Sequence, residues 1–178
     1  MRQVRYSVAM SLDGYIAGPN GEFDWIIMDP DIDFQSMFKS FDTIFMGRKS
    51  YEEAKKQGGG GGMPSMQTYV FSHTLNPADC PGVILSDDPG KTVTGIKAKQ
   101  GKDIWLFGGG LLFRSFLELG LVDSVEIAII PVLLGGGLPV LAHPATMAKL
   151  QLIKHRIFEK TGTVMLQYAL PKEDTLQR

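Results

Sequence analysis

The stretch DIWLFGGGLLFRSFLELG, residues 103–120, constrains the fold more than any other part of the chain. Ile104 to Phe107 form an apolar run too short for a helix and suited to a strand buried on both faces. Gly108, Gly109 and Gly110 follow at once. Beyond them Leu111, Leu112, Phe113, Phe116, Leu117 and Leu119 recur at helical spacing, and Gly120 supplies a left-handed cap. A strand passing through glycine into a helix is the repeating unit of an α/β sheet. Glycines at that junction let a ligand approach the backbone where the first N–H groups of the helix favour negative charge. Taken alone, the turn fits a bound phosphate and an unliganded tight turn equally well.

The same pattern occurs earlier. Thr43 to Met46 read as a strand, Gly47-Arg48-Lys49-Ser50 as a turn, and a helix runs on through Tyr51, Ala54 and Gln57. Cations at a helix start oppose the helix dipole; a bound phosphate relieves that conflict, and solvated surface charge is the bland alternative. Two such helix starts suit a ligand containing a diphosphate.

Around them, Val4 to Met10 alternate as a first strand, which ends in the turn-rich loop SLDGYIAGPNGEFDW (residues 11–25). A helix is expected over Asp31–Ser40, with strands over Thr68–Phe71 and Val83–Leu85 and a helix over Lys91–Gln100. A long strand is expected over Ser124–Leu134, where Pro131 marks a bulge, an edge or an end. Two final strands flank Lys160-Thr161-Gly162 as a hairpin. The glycine run Gly58–Gly62, with Met63 and Pro64, reads as a flexible loop without chemistry. The expected architecture is α/β: a mixed, mostly parallel sheet with helices on both faces and a C-terminal hairpin, in one domain over residues 1–178.

At 44% hydrophobic residues the chain can bury a sizeable core, and a net charge of −1 gives no global field toward nucleic acid or a membrane surface. One cysteine, Cys80, excludes an internal disulfide. With no apolar run of membrane-spanning or signal-peptide length, a soluble, cytoplasmic protein is expected. Phe113 stands where G-x-G-x-x-G needs its last glycine, no G-x-x-x-x-G-K-[ST] loop occurs, and no G-x-S-x-G elbow occurs. His73, His143 and His155 lack metal-ligand spacing. The strand over 124–134 is apolar on both sides, which a partner subunit in a homodimer or a covering helix would satisfy.

Three motifs together carry a resemblance: Ser11-Leu12-Asp13-Gly14-Tyr15-Ile16-Ala17, Met46-Gly47-Arg48-Lys49-Ser50-Tyr51-Glu52 and Phe107-Gly108-Gly109-Gly110. In order and spacing the chain resembles the dihydrofolate reductase superfamily, and most closely its riboflavin-biosynthesis reductase branch, the RibD C-terminal domain. The resemblance implies a dihydrofolate reductase-like three-layer fold and NADPH bound across the carboxyl edge of the sheet. Gly47, Arg48, Lys49 and Ser50 would hold the adenosine phosphates, and Gly108, Gly109, Gly110, Leu111 and Leu112 the diphosphate. Ser72 and His73 would meet the 2′-phosphate, and Ala9, Ile16, Ala17 and Gly18 would flank the nicotinamide. Asp31 stands fifteen residues before Met46, like the acid that binds the pterin in dihydrofolate reductases, or else caps a helix. Asp13 fits a substrate contact or a turn. The implied activity is hydride transfer from NADPH to a small pyrimidine- or pterin-related substrate, similar to the uracil reductase step of riboflavin biosynthesis. True dihydrofolate reduction and a non-catalytic NADPH-binding or sensing role remain open.

Overall fold

In the computed structural model, which describes residues 1–56, 58 and 65–171, β1 (Val4–Ser11) is the strand on which the sheet is built. It pairs in parallel with β6 (Asp103–Gly108) on one side and β7 (Ser124–Ile130) on the other. Outward from β6 lie β3 (Phe41–Gly47), β4 (Gln67–Phe71) and β5 (Ile84–Ser86), all parallel. Outward from β7, β10 (Thr163–Ala169) and β9 (Gln151–Phe158) add as an antiparallel hairpin. The order of the eight strands is β5-β4-β3-β6-β1-β7-β10-β9.

Alternation along these strands feeds two cores. Tyr6, Phe45, Ile104 and Leu106 point to one face, where they meet Val93 and Ile96 of α3 (Pro89–Lys97) and Phe113 and Phe116 of α4 (Gly110–Glu118). Ile44, Met46, Val70 and Trp105 point to the other, against Tyr51 of α2 (Arg48–Lys56) and Met37 and Phe38 of α1 (Phe34–Lys39). Helices thus cover both faces. Each fully buried side chain of this size contributes about 1.5–3 kcal/mol, and the Tyr6–Phe113 stack, with centroids 3.7 Å apart, adds about 0.5–1.5 kcal/mol.

The topology also decides where a site can form. From β3 the chain crosses outward to β4 through α2; from neighbouring β6 it crosses the other way to β7 through α4. Right-handed crossovers in opposite directions put the two helices on opposite faces. A crevice is therefore left at the carboxyl ends of β3 and β6, the switch point at which open α/β sheets bind ligands.

Several sequence expectations shift. The helix expected from Asp31 begins only at Phe34, because Asp33 is its cap, accepting from the Ser36 N–H at 2.8 Å. The strand expected to reach Leu134 stops at Ile130, since Pro131 cannot extend the ladder. Its two apolar faces are satisfied within the chain: Val125, Ile127 and Ile130 are buried by their own sheet neighbours and core. The first loop is not free chain. It holds β2 (Tyr15–Ala17), which pairs with β8 (Leu138–Pro139) in a separate ladder. The short strand falls at Ile84–Ser86 rather than Val83–Leu85, and the helix expected at Lys91–Gln100 is α3, started by Asp88 as cap. Gln57, Gly59–Gly62, Met63 and Pro64 lie outside the described residues; Gly58 occupies a turn. No helix among the described residues is long and apolar enough to cross a membrane.

Candidate active site

The two glycine turns meet. Met46 pairs with Gly108 across β3 and β6, and a Cβ placed on Gly47 would lie 3.7 Å from the Gly108 carbonyl and from Leu112 Cβ. Ser50, in the first turn of α2, joins them: its hydroxyl donates to the Gly108 carbonyl and accepts the Gly109 N–H, each at 3.0 Å. One side chain from the second motif therefore fixes the backbone of the third.

The three glycines do different work. Gly108 has φ +102° and sits 3.0 Å, measured from an added Cβ, from the Tyr6 ring, so backbone and space both demand glycine. Gly110 is crowded by the chain itself: an added Cβ would fall 2.4 Å from the Pro139 carbonyl oxygen. Gly109 is neither left-handed nor crowded, with Ile16 Cδ1 and Ser50 Oγ at an ordinary 3.7 Å. Gly47 is equally unconstrained by its neighbours. A methyl at 47 or 109 would thus meet only ordinary van der Waals contacts, and both positions lie beside the crevice. Gly109 caps α4 with no side-chain acceptor, so first-turn N–H groups of α4 have no capping carboxylate or hydroxyl. Backbone donors and uncrowded glycines are the features expected of a cradle for a nucleotide diphosphate.

At the start of α2, Arg48 donates to the Thr74 hydroxyl at 3.1 Å, and Ser72 accepts the N–H groups of Thr74 and Leu75. The Arg48 head is thereby brought to the turn after β4 that carries Ser72 and exposed His73. Lys49 is exposed beside it. Ala9 is half-buried in β1 opposite Ala128 of β7, two small side chains that leave the sheet thinly covered near its carboxyl edge. Ile16 reaches Gly109, and Gly18 is held by the Glu22 carbonyl at 2.8 Å.

The acids have protein partners. Asp13 accepts from the Ser11 hydroxyl at 2.6 Å, the Leu134 N–H at 3.1 Å and the Gly135 N–H at 2.7 Å. The Ser11 hydrogen bond, followed by those from Gly135 and Leu134, outweighs desolvation and holds its carboxyl below the ordinary value. Asp31 pairs with Lys160 at 2.8 Å, at the turn of the C-terminal hairpin. Buried Asp29 accepts the Asp31 N–H and the Thr161 hydroxyl, each at 2.8 Å. Burial pushes its carboxyl up, but the Asp31 and Thr161 hydrogen bonds and the Lys160 charge prevail and leave it low. The glycine turns, Ser50, Leu112 and Ile16 are thus in mutual contact, whereas no hydrogen bond joins Asp31 to them. The Asp29–Thr161 contact spans 132 residues, so no local pattern announces it.

The comparisons agree with this fold. Residues 2–164 match the RibD C-terminal domain family. The chain belongs to that family. It is 36% identical over 183 residues to the uncharacterized protein YyaP of Bacillus subtilis, with 94% of each chain covered. Among solved structures, a putative riboflavin biosynthesis protein from Shewanella sp. PV-4 matches with TM-score 0.81 at 25% identity, over 97% of this chain and all of that one. A dihydrofolate reductase from Enterococcus faecalis complexed with NADP(H) shares the fold, with TM-score 0.70 at 16% identity over 96% of this chain and 97% of that one. RibD C-terminal domains and dihydrofolate reductases therefore share the architecture derived above, in which the second and third motifs fall at the switch point and the first at the end of the adjoining β1.

Proposed function

We propose that the chain is an NADPH-dependent reductase acting on a small pyrimidine- or pterin-related substrate. The observation that carries this reading is the meeting of two glycine turns at helix starts, where Met46 pairs with Gly108 and Ser50 bonds the Gly108 carbonyl and the Gly109 N–H. Membership of the RibD C-terminal domain family and the NADP(H) complex of the shared fold support it.

In this reading Gly47, Arg48, Lys49 and Ser50 hold the adenosine-side phosphates, Gly108 to Leu112 the diphosphate, and Ser72 and His73 the 2′-phosphate, with Ala9, Ile16 and Gly18 beside the nicotinamide. Bound NADPH supplies a hydride to a C=N or C=O carbon of the substrate. The chain orients, excludes water and fixes charge. First-turn N–H groups of α4 neutralise the diphosphate, and Ile16 shields it from solvent. Asp13 and Asp31 serve from the substrate side. Asp13, kept ionised by three donors, holds the first loop to residues 134–135, so the proton reaches the reduced atom through water rather than from that carboxyl.

A non-catalytic NADPH-binding role is the second reading, favoured by the engagement of both Asp13 and Asp31 within the protein. Titration with NADPH, followed by fluorescence and thermal unfolding, tests the shared premise: no response to NADPH alongside a response to another nucleotide sinks both. Binding without loss of NADPH absorbance on addition of dihydrofolate or a phosphoribosylamino-pyrimidine favours the second.

A further inference from the structure

Resting on the reductase reading and deepening it, we infer that the substrate is a bare heterocycle that carries neither phosphate nor carboxylate. Charge is divided across the crevice. The cofactor side holds Arg48, Lys49 and His73. The chain from Tyr6 to Phe38, which includes most of β1, the first loop, β2 and most of α1, has six acids and no Lys, Arg or His. The acids are Asp13, Glu22, Asp24, Asp29, Asp31 and Asp33. Residues 127–142, which run from β7 through β8, carry no charged side chain at all.

These two segments leave the carboxyl ends of β1 and β7 and are knit into one wall. The Leu12 N–H donates to the Val132 carbonyl and the Val140 N–H to the Gly14 carbonyl, each at 2.9 Å, and β2 pairs with β8. The turn of the C-terminal hairpin adjoins this wall, since an added Cβ on Gly162 would lie 3.4 Å from Pro131 Cγ. That turn brings a cation, Lys160, but Asp31 pairs with it at 2.8 Å and buried Asp29 feels its charge. Lys154 and Arg156 belong to β9, three strands from β1. At the spacing of a sheet that is about 14 Å, and the Arg156 head lies over the Phe158 ring, 4.4 Å from its centroid.

A phosphate monoester, charged about −1.5 to −2 at neutral pH, is held by cations or by a free helix N-terminus. On this side the cations are paired or distant, and α1 starts at Asp33, whose own carboxylate takes the Ser36 N–H. Hydrogen bonds satisfy Asp13 and Asp29 without discharging them, because both carboxyls are held below their ordinary value. The wall is therefore negative at neutral pH and opposes an anion. The same segments are rich in apolar surface: Leu12, Phe23, Ile27, Met28, Leu133 and Leu138 are between 44% and 72% exposed. Small-molecule sites are mostly apolar with few polar groups, which suits a flat ring system without an anionic tail.

Matched pairs of compounds, added to the NADPH-saturated protein, test the inference. One pair is a phosphoribosylamino-pyrimidine and its dephosphorylated riboside. The other is dihydrofolate, whose glutamate adds carboxylates, and the unsubstituted dihydropterin. Thermal unfolding reads binding, and NADPH absorbance reads turnover. The member without the anionic group is expected to bind about tenfold or more tightly, as like charges in a site oppose association. That gap should narrow as salt rises from about 0.01 to 1 M and the Debye length falls from about 30 to 3 Å. An anionic member that binds as tightly as its partner, a gap indifferent to salt, or silence from all four compounds overturns the inference while NADPH stabilisation stands. Loss of NADPH stabilisation itself sinks the reductase reading, and this inference with it.

Discussion

Gly47→Ala and Gly110→Ala separate a glycine kept for a ligand from one kept for the fold. At position 110 the new methyl would sit 2.4 Å from the Pro139 carbonyl oxygen and 3.2 Å from the Ala142 nitrogen, both backbone atoms. That is roughly 1 Å inside ordinary contact, and the β8 segment must withdraw, at a cost of about 1–3 kcal/mol. For a chain of this length each kcal/mol moves the melting temperature by about 2–4 °C, so Gly110→Ala should melt roughly 2–12 °C lower. At position 47 the methyl finds only 3.7 Å contacts and an ordinary φ, and the stiffer unfolded chain offers about 0.4–1 kcal/mol in its favour. Its melting temperature should stay level or rise. NADPH at a hundredfold excess over its dissociation constant should add about 2.7 kcal/mol to the wild type, a rise of roughly 5–11 °C, and most of that rise should vanish in Gly47→Ala. The assay is thermal unfolding of the three proteins with and without NADPH. A Gly47→Ala protein that keeps the full ligand shift refutes the cradle, and a Gly110→Ala protein that melts like wild type refutes the packing of residues 139–142 over the turn.

Ser50→Ala should lose two hydrogen bonds that join the turns, costing about 1–3 kcal/mol of stability and weakening NADPH binding; denaturant titration with and without NADPH reads both. Arg48→Ala/Lys49→Ala should weaken NADPH more than NADH in parallel titrations, and equal weakening argues against contact with a 2′-phosphate. The Asp13 carboxyl is held below its ordinary value. It therefore contributes stability above the unfolded value of about 3.9 and loses it as pH falls through the lower folded value. Asp13→Asn, which has no charge to titrate, should melt below wild type at neutral pH, with the gap closing in acid; a gap constant across pH would show that the Ser11, Leu134 and Gly135 hydrogen bonds do not depend on the charge.

The sheet, the helices α1 to α4 and the two glycine turns were legible because each is written locally, in a run of apolar residues or a glycine beside a helix start. What the sequence hides are the partners. β2 and β8 are three and two residues long, and neither has a pattern until they pair across the chain. Asp29, Asp31 and Asp33 alternate identically, and local chemistry cannot say which caps α1. Thr161 claims Asp29 and Lys160 claims Asp31, which leaves Asp33 for the helix. The glycine run is the sharpest instance. Three identical residues read as one phosphate motif, yet Gly108 answers to its φ and to Tyr6, and Gly110 to the Pro139 carbonyl. Gly109 is neither left-handed nor crowded, and neither is Gly47 on the neighbouring turn. Composition alone cannot separate these reasons, whereas the space around each glycine leaves one in each turn, Gly47 and Gly109, free of steric demand beside the switch point of the sheet.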